Sequence, residues 1–363
     1  MSYILLILTF IYLIFILFII SGLFKHNILP VSNLEKLPFV SVVIAARNEE
    51  HNLPELLDDL INQEYPINKF EIVIVNDRSY DSTEKILFEA SESYSFIKYL
   101  TINSKSKNMT PKKNAIDLGI KNAKGEIILA TDADCRVGSL WVASMTYSLI
   151  KKDSIVVGYS EIDDKNKTFF EKYQKIDFLA ILSANTGAAG WNQYWSGSGQ
   201  NLAYYKNDYF QINGFEPVKN NISGDDMYLV QSISKLKKGY IHLDPNSHVK
   251  TKALESVKDF LNQRIRWSSN SKSNLKNTPT FFTFLLVSFL ENLFILISVI
   301  FLKEGYFIWA VKILFDGAVI LFGAKLFEKE FDITTYFFWA ILQPFYIPLV
   351  GLLGLFNKFS WKK

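Results

Sequence analysis

The chain has 363 residues, of which 49% are hydrophobic and 15% aromatic, and its mean hydropathy is +0.11. This composition is too apolar for one ordinary soluble domain and indicates membrane segments. The formal net charge of +3 is too small to favour nucleic acid as a partner. The single cysteine, Cys135, excludes an intrachain disulfide framework and fits a reducing compartment.

Apolar stretches lie at both ends of the chain. The stretch Tyr3 to Phe24 is uncharged over about twenty positions, enough for a helix to cross a bilayer. We interpret it as an uncleaved anchor, because it lacks the basic segment and small-residue cleavage pattern of a signal peptide. Three further apolar blocks follow much later: Phe281 to Leu302, Tyr306 to Phe327 and Tyr336 to Phe356.

Strand and helix patterns alternate after the anchor. Apolar runs of strand length are Phe39 to Ala45, Phe70 to Val75, Ile97 to Leu100 and Glu126 to Thr131. Helical patterns separate them: Leu53 to Ile61, a helix with Asp81 as its N-cap and Glu84 completing a capping box, and Lys113 to Ala123. Such alternation predicts an α/β domain with a mostly parallel sheet.

The pattern is less regular in the second half of the polar region. Thr168 to Ala184 has helical spacing, and the glycines of Asn185 to Gly190 indicate a flexible loop. Glycines in Trp195 to Gly199 indicate a close approach of the backbone. The stretch Leu254 to Trp267 is amphipathic, with basic residues that include Arg264, and is predicted to lie at a membrane surface.

Polar residues follow three of the predicted strands. They are Arg47-Asn48-Glu49, Asp77, and the pair Asp132 and Asp134. Ligands of such sheets bind beyond the carboxyl ends of the strands, so these side chains are expected at one edge. Two carboxylates one residue apart can share Mg²⁺, which in turn neutralises a diphosphate. The alternative is a solvated Asp-rich turn.

Other candidates have ordinary alternatives as well. Asp225 and Asp226 follow Gly224 at the start of a helix that runs to Lys237, where acidic residues also serve as caps. Lys112 could be a surface lysine, and Trp267 could be an interfacial anchor. Gln263 and Arg266 are one helical turn apart and share a face.

Five segments in this order resemble family 2 glycosyltransferases. They are Ala46-Arg47-Asn48-Glu49, Asn76-Asp77-Arg78-Ser79, Asp132-Ala133-Asp134, Gly224-Asp225-Asp226 and Gln263-Arg264-Ile265-Arg266-Trp267. The set is more specific than any one motif, and it covers roughly Val40 to Trp267. The resemblance is to membrane-bound members, such as cellulose, hyaluronan and poly-N-acetylglucosamine synthases and ceramide glucosyltransferases. It implies a Rossmann-like GT-A catalytic domain flanked by transmembrane helices.

The resemblance also implies roles for individual residues. Nucleotide-sugar contacts would be Arg47, Asn48, Glu49, Asp77, Lys112 and Asp132. Asp132 and Asp134 would hold Mg²⁺ or Mn²⁺, and Asp226 would be the general base. Asp225, Gln263, Arg266 and Trp267 would lie near the acceptor or diphosphate. Asp225 stands where Glu is commoner, and Pro111 where Gly is commoner.

The chemistry of these residue types agrees with the resemblance. An acceptor hydroxyl is a poor nucleophile, so a carboxylate must take its proton while cationic groups stabilise the leaving diphosphate. Displacement in line inverts the anomeric centre, and Trp267 can stack on a pyranose face. We therefore expect an enzyme that moves a sugar from a nucleotide donor, with a UDP-sugar expected, to a lipid or glycan acceptor.

The residue pattern is also compatible with other functions. A processive polysaccharide synthase has similar motifs, but few helices in one chain leave little room for a polymer, so secretion would need a second copy or a partner subunit. A non-catalytic nucleotide-sugar-binding subunit would be expected to lose a carboxylate. A nucleotidyltransferase would not need Gln263 to Trp267. The polar residues Glu291, Asn292, Lys312 and Asp316 interrupt the apolar blocks and either face an acceptor path or fix helix packing.

The expected arrangement is an integral, multi-pass protein of the inner or plasma membrane. Residues 1–25 are predicted to form the anchor, 38–240 the cytosolic catalytic domain, 241–279 an acceptor-side segment, and 280–357 about three membrane helices. Lys25, Lys272 and Lys276 are expected on the cytosolic side, together with Lys325 and Lys329. Lys358, Lys362 and Lys363 would then lie outside, unless the block with Pro344 and Pro348 is kinked or re-entrant.

Overall fold

The computed structural model describes residues 2–29, 36–301 and 304–356. Its helices, numbered in chain order, are α1 (Ser2–Leu23), α2 (Leu53–Ile61), α3 (Thr83–Ser93), α4 (Pro111–Asn122), α5 (Trp141–Lys152), α6 (Phe169–Ala189), α7 (Lys206–Gln211), α8 (Asp225–Leu236), α9 (Val257–Ser268), α10 (Ser271–Asn277), α11 (Pro279–Phe301), α12 (Glu304–Leu326) and α13 (Ile333–Leu355). Its strands are β1 (Val40–Ala46), β2 (Phe70–Asp77), β3 (Ile97–Ile102), β4 (Ile127–Ala130), β5 (Cys135–Val137), β6 (Ile155–Gly158), β7 (Ser160–Asp163), β8 (Leu202–Tyr205), β9 (Gly239–His242) and β10 (Val249–Lys252).

The described chain divides into two compact units. The sheet unit comprises Asn27–Glu161 and Ser196–Lys252, and the helical unit comprises Met1–His26, Ile162–Trp195 and Ala253–Lys363. The linear division predicted from the sequence placed residues 162–195 with the sheet. The contacts place them with the helices, because α6 packs along α1 and α12 within the helical unit.

The described residues of the sheet unit form a seven-stranded sheet with the order β3-β2-β1-β4-β8-β6-β9. Strands β3, β2, β1 and β4 are parallel neighbours, and β8 runs antiparallel to both β4 and β6. The sheet is therefore mostly parallel, as the alternation of strands and helices predicts. Val40, Val42 and Ile44 point into the main core, where Leu53, Leu56 and Leu60 of α2 cover them.

Within the described part of the helical unit, four helices are long and apolar enough to cross a membrane: α1, α11, α12 and α13. Each matches one of the apolar blocks. Helix α13 is continuous through Pro344 and Pro348, which supports the spanning form over an interruption at the prolines. Lys358, Lys362 and Lys363, on which the topology prediction partly rests, lie outside the described residues.

The prediction of a loop at Asn185 to Gly190 is wrong, because α6 continues to Ala189. The glycines serve close packing of helices within the helical unit. A Cβ atom at Gly187 would overlap the carbonyl oxygen of Ile19 in α1, and one at Gly190 would overlap that of Gly22. Glycine in this segment therefore allows two helices to approach each other, a use that the sequence pattern does not distinguish from a loop.

The predicted capping box at Asp81 is also wrong. Helix α3 begins at Thr83 after the N-cap residue Ser82. The carboxylate of Asp81 accepts hydrogen bonds from the backbone N–H groups of Thr83 and Glu50, at 3.0 and 3.1 Å. Glu84 instead accepts a hydrogen bond from the Thr101 hydroxyl. Asp81 thus joins two loops of the sheet edge, which a local motif cannot reveal.

Candidate active site

The loops that follow β1 and β2 lie side by side at the carboxyl edge of the sheet. The two strands are parallel, with Ala46 opposite Asn76. Asn48 has a positive φ of 54° and its backbone N–H donates to the Ser79 hydroxyl at 3.0 Å. The Asn48 side-chain oxygen accepts from the backbone N–H of Tyr80 at 3.0 Å, and the Glu49 N–H donates to Thr83 Oγ1 at 2.8 Å. These bonds fix the backbone of the predicted nucleoside contacts.

Two charged side chains at this edge differ in their partners: Asp77 is paired with a neighbour, and Arg47 has a nitrogen without a partner among the described residues. Asp77 is buried, and Arg78 donates to both of its carboxylate oxygens, at 2.8 and 3.1 Å. Within the described residues, the buried Nε atom of Arg47 has no hydrogen-bond partner. An unpaired buried donor is costly, so Arg47 is suited to an acceptor group brought by a ligand.

Lys112 connects the strand edge to the start of α8. Its ammonium lies 2.7 Å from Asp132 Oδ1 and 3.9 Å from Asp225 Oδ2. Burial lowers the pKa of Lys112, but the charges of Asp132 and Asp225 outweigh burial and raise it above its ordinary value. Pro111 occupies the first turn of α4, where its missing N–H costs no helical hydrogen bond. The departure from the usual glycine therefore leaves Lys112 in place.

Asp226 lies in the first turn of α8, after Gly224, whose φ is +78°. Its Oδ2 accepts from the Gly199 N–H at 3.1 Å, and its Oδ1 accepts from the Met227 N–H at 2.7 Å. The first of these bonds joins the glycine-rich segment to Asp226, although a Cβ atom at Gly199 would make only ordinary contacts with Asp226. Burial, and next the charge of Asp225, raise the pKa of Asp226 from 3.8 to about 6. A carboxylate with a pKa near neutrality suits a general base.

Asp132 and Asp134 follow β4, and both side chains are partly exposed. Among residues 2–29, 36–301 and 304–356, no three or more His, Cys, Asp and Glu side chains form a group that could hold a metal. Mg²⁺ and Mn²⁺ accept one or two protein carboxylates and take their other oxygen ligands from water and substrate phosphates. The pair of carboxylates therefore fits either ion. Cys135 is buried, as expected of a small residue beside the pair.

In the helical unit, Arg264 holds two of the residues predicted on the acceptor side. Its side chain is buried, its Nε donates to Asp177 of α6 at 2.7 Å, and its Nη1 donates to the Gln263 side chain. Its guanidinium lies 4.2 Å from the centre of the Trp267 ring. Although Arg264 is one of the basic residues of the stretch predicted to be amphipathic, its charge is paired in the interior.

The same cluster includes a membrane-length helix. Asp177 Oδ1 accepts from the indole N–H of Trp339 in α13, at 2.9 Å. Trp267 of α9 is only partly exposed, and one face of its ring is covered by the Arg264 guanidinium. At most the opposite face of that ring is open to a sugar.

The structure thus gathers the predicted residues in two places. In the sheet unit, Lys112, Asp132 and Asp225 form one charged group, the loops of Asn48 and Asp77 are hydrogen-bonded to each other, and Asp226 is held by Gly199. Gln263, Arg266 and Trp267 belong to α9 in the helical unit. Sequence reasoning missed Arg78 and Arg264, although each lies inside a motif that it identified.

The described sheet and carboxylate-rich edge agree with comparisons to known proteins. The model of the family "Glycosyl transferase family 2" matches residues 41–222, half of the chain. The chain belongs to glycosyl transferase family 2, and it is an enzyme, a glycosyltransferase.

Curated relatives include lipid-directed enzymes. The chain is 28% identical to "Probable glycosyltransferase YdaM" of Bacillus subtilis, over 85% of this chain and 74% of that protein. It is 27% identical to "Dolichyl N-acetyl-alpha-D-glucosaminyl phosphate 3-beta-D-2,3-diacetamido-2,3-dideoxy-beta-D-glucuronosyltransferase" of Methanococcus voltae, over 88% of this chain and 94% of that protein. It is also 38% identical to "Beta-monoglucosyldiacylglycerol synthase" of Nostoc over a shorter segment, which covers 28% of this chain and 22% of that protein.

A solved structure has the same fold. The mannosyltransferase PcManGT from Pyrobaculum calidifontis, in complex with GDP-Man and Mn²⁺, matches with a TM-score of 0.62 and 18% sequence identity. The match covers 98% of this chain and 99% of that one. The GT-A fold with flanking apolar helices, expected from the resemblance, is confirmed.

Proposed function

We propose that this protein is a membrane-bound inverting glycosyltransferase that moves a sugar from a nucleotide-sugar donor to a lipid or lipid-linked acceptor. The observation that carries the acceptor class is the cluster of Asp177, Arg264 and Trp339. It joins α9, which contains the acceptor-side motif, to α13, a helix of membrane-spanning length. An acceptor-side helix built into such a bundle suits an acceptor that stays in the membrane. The Methanococcus voltae and Nostoc relatives, whose names include dolichyl phosphate and diacylglycerol, support the same class.

The donor end of the site would be formed at the sheet edge. The roles assigned by the resemblance are that Arg47, Asn48, Glu49 and Asp77 contact the nucleoside, and that Lys112 is a further contact in the donor pocket. Arg78 would have to share Asp77 with the nucleoside, because it pairs with both carboxylate oxygens. A divalent cation held by Asp132 and Asp134 would supply charge neutralisation of the diphosphate.

Proton transfer is the task of Asp226. Its carboxylate would take the proton of the acceptor hydroxyl while the hydroxyl oxygen bonds to the anomeric carbon. The bond from that carbon to the diphosphate oxygen breaks on the opposite side, which inverts the configuration and releases the nucleoside diphosphate. The resemblance assigns Gln263, Arg266 and Trp267 to the diphosphate and acceptor sugar, and that assignment remains a prediction.

The test uses purified full-length protein, a panel of radiolabelled nucleotide sugars and extracted membrane lipids. We expect one sugar donor to give a labelled product that partitions into organic solvent and gains a single sugar. Asp226→Asn is the matched control, because it should keep donor binding and lose the product. Long chains made on a soluble oligosaccharide without lipid would establish the polysaccharide-synthase alternative. Donor binding with no transfer to any acceptor would establish the non-catalytic alternative.

We also propose that the sheet unit faces the cytosol, where nucleotide sugars are made, and that the amino terminus lies outside. The support is that four helices of the described residues could span a membrane, together with the lysines that flank them in the sequence. A cysteine inserted after Trp361 distinguishes the forms. Labelling by an impermeant thiol reagent on intact cells is expected if α13 spans, and labelling only after lysis would refute it.

A further inference from the structure

Lys113, the residue after Lys112, is almost completely buried, with 1% of its surface exposed. Its ammonium donates to the carbonyl oxygen of Asn221 at 2.6 Å and to that of Ser223 at 3.3 Å. Burying an ammonium is unfavourable unless strong acceptors replace its water. Here the acceptors belong to the loop that directly precedes Gly224, Asp225 and Asp226.

The same loop is held at a second point by the residue that precedes α4. The backbone N–H of Thr110 donates to the carbonyl oxygen of Lys219 at 2.9 Å, and the Thr110 hydroxyl donates to that of Asn221 at 3.3 Å. Asn221 and Ile222 are themselves exposed on the outer side of the loop. The inner side of the loop, formed by its carbonyl oxygens, is therefore attached to the first turn of α4.

The conformation at the end of the loop sets the direction of α8. Gly224 has a φ of +78°, a value that favours glycine, and Asp225 begins the helix immediately afterwards. A shift of the Ser223 carbonyl would rotate this junction and move the carboxylates of the first turn of α8. Misplacement of a catalytic group by about 1 Å can cost roughly 10²-fold in rate.

We infer that Lys113 is a positioning residue, which fixes the loop of residues 219–224 and thereby the place of the Asp226 carboxylate. Lys112 and Lys113 then act on the same site in different ways. Lys112 supplies a partly exposed positive charge to Asp132 and Asp225, whereas Lys113 uses its charge to bind carbonyl oxygens. The inference rests on the proposed role of Asp226 as the base.

The experiment compares Lys113→Met, Lys113→Arg and Lys121→Met in the full-length protein. Methionine keeps the length of the side chain without its N–H donors, and arginine keeps donors. Lys121 is an exposed residue of the same helix that pairs with Asp117, so its variant controls for loss of a lysine charge from α4. We expect Lys113→Met to lower kcat by about 10-fold to 10²-fold. Its affinity for nucleoside diphosphate with Mn²⁺, measured by calorimetry, is expected to change by less than about threefold, and Lys113→Arg is expected to restore part of kcat.

Hydrogen exchange gives a second readout that needs no turnover. Faster exchange of the amides of residues 219–224 is expected in Lys113→Met and not in Lys121→Met. Unchanged exchange in this loop would overturn the inference. So would equal losses of kcat and diphosphate affinity with no rescue by arginine, since that result describes general destabilisation. If the wild-type enzyme transfers no sugar, the proposed function fails, while the exchange experiment still tests the attachment of the loop.

Discussion

Lys112 of the sheet unit and Lys312 of the helical unit each pair with aspartate, but in different surroundings. Lys112 lies near Asp132 and Asp225, and 32% of its side chain is exposed. Lys312 pairs with Asp316 one helical turn later on α12, and only 5% of its side chain is exposed. Asp316 is bound further by the Tyr12 hydroxyl at 2.6 Å. A ligand can compete for the first lysine, whereas the second is already enclosed.

The comparison separates charges arranged for chemistry from charges arranged for packing. In the sheet unit, burial and the charge of Asp225 raise the pKa of Asp226, and the partly exposed Lys112 is accessible to a diphosphate. In the helical unit, Lys312 and Asp316 pair with each other, and Thr9 donates to Glu291 Oε1 at 2.8 Å, while the buried Glu291 Oε2 has no hydrogen-bond partner among the described residues. The contacts favour the packing alternative over an acceptor path for Lys312 and Asp316.

The largest expected effect is that of Asp134→Ala, which should abolish transfer and metal-dependent donor binding. Loss of one of two carboxylates leaves the cation and the diphosphate poorly held. Calorimetry with donor and Mn²⁺ measures the binding. Asp58→Ala, at an exposed helical position of the sheet unit, is the control and should bind normally. Unchanged donor affinity in Asp134→Ala would remove Asp134 from the metal site.

Asp226→Asn should lower turnover by about 10² or more while nearly preserving donor affinity, since a positioned base contributes about that factor. Steady-state kinetics and donor calorimetry on the same preparation measure both. If Asp226 only stabilises the start of α8, asparagine should preserve activity, because it is also suited to helix amino termini. Full activity of this variant would therefore show that Asp226 stabilises the start of α8 and is not the base.

The pH dependence should follow Asp226. Its pKa is raised from 3.8 to about 6, so the base becomes protonated and kcat/KM should fall about tenfold per unit as pH drops below about 6. Stability should move in the opposite direction. A raised carboxyl pKa favours folding below about pH 4, and that contribution is lost as pH rises through about 6.

Two measurements separate Asp226 from other titrating groups. Donor affinity is measured over pH 4.5 to 8, so that the effect of diphosphate titration on binding can be subtracted from the pH dependence of kcat/KM. The melting temperature of Asp226→Asn should exceed that of the wild type at pH 8 and approach it at pH 4.5, because only the wild type loses a proton in between. A flat kcat/KM profile between pH 5 and 7 would exclude Asp226 as the titrating base.

The smallest effect on activity is expected from Asp316→Asn. Turnover of the folded protein should stay within about threefold of wild type, whereas the melting temperature should fall, because a buried Lys312 loses its charged partner at a cost of about 3 kcal/mol or more. Lys312→Met combined with Asp316→Asn should recover part of the stability. A tenfold loss of turnover at an unchanged melting temperature would support an acceptor path through this pair.

Much of the architecture follows from local sequence alone. Strand-length apolar runs followed by Asp77 and Asp132 predicted that these residues lie at one edge of the sheet, because parallel strands bring their carboxyl ends to one edge. Four predominantly apolar stretches of sufficient length predicted the membrane-length helices, because about twenty such residues in a helix span a bilayer. Acidic residues after Gly224 indicated the start of α8 correctly.

Other features depend on partners that are distant in the chain. The sequence pattern of Gly187 and Gly190 predicts a loop, whereas in the structure these glycines allow α1 to pack closely against α6. A glycine pattern indicates backbone freedom and does not show whether that freedom serves a loop or helix packing. Arg264 looks exposed until Asp177 and Trp267 enclose it. The sequence does not distinguish Lys113 from other lysines, but in the structure its ammonium donates to the carbonyl oxygens of Asn221 and Ser223. Every residue has a carbonyl acceptor, and only the tertiary fold determines which of them converge on one side chain.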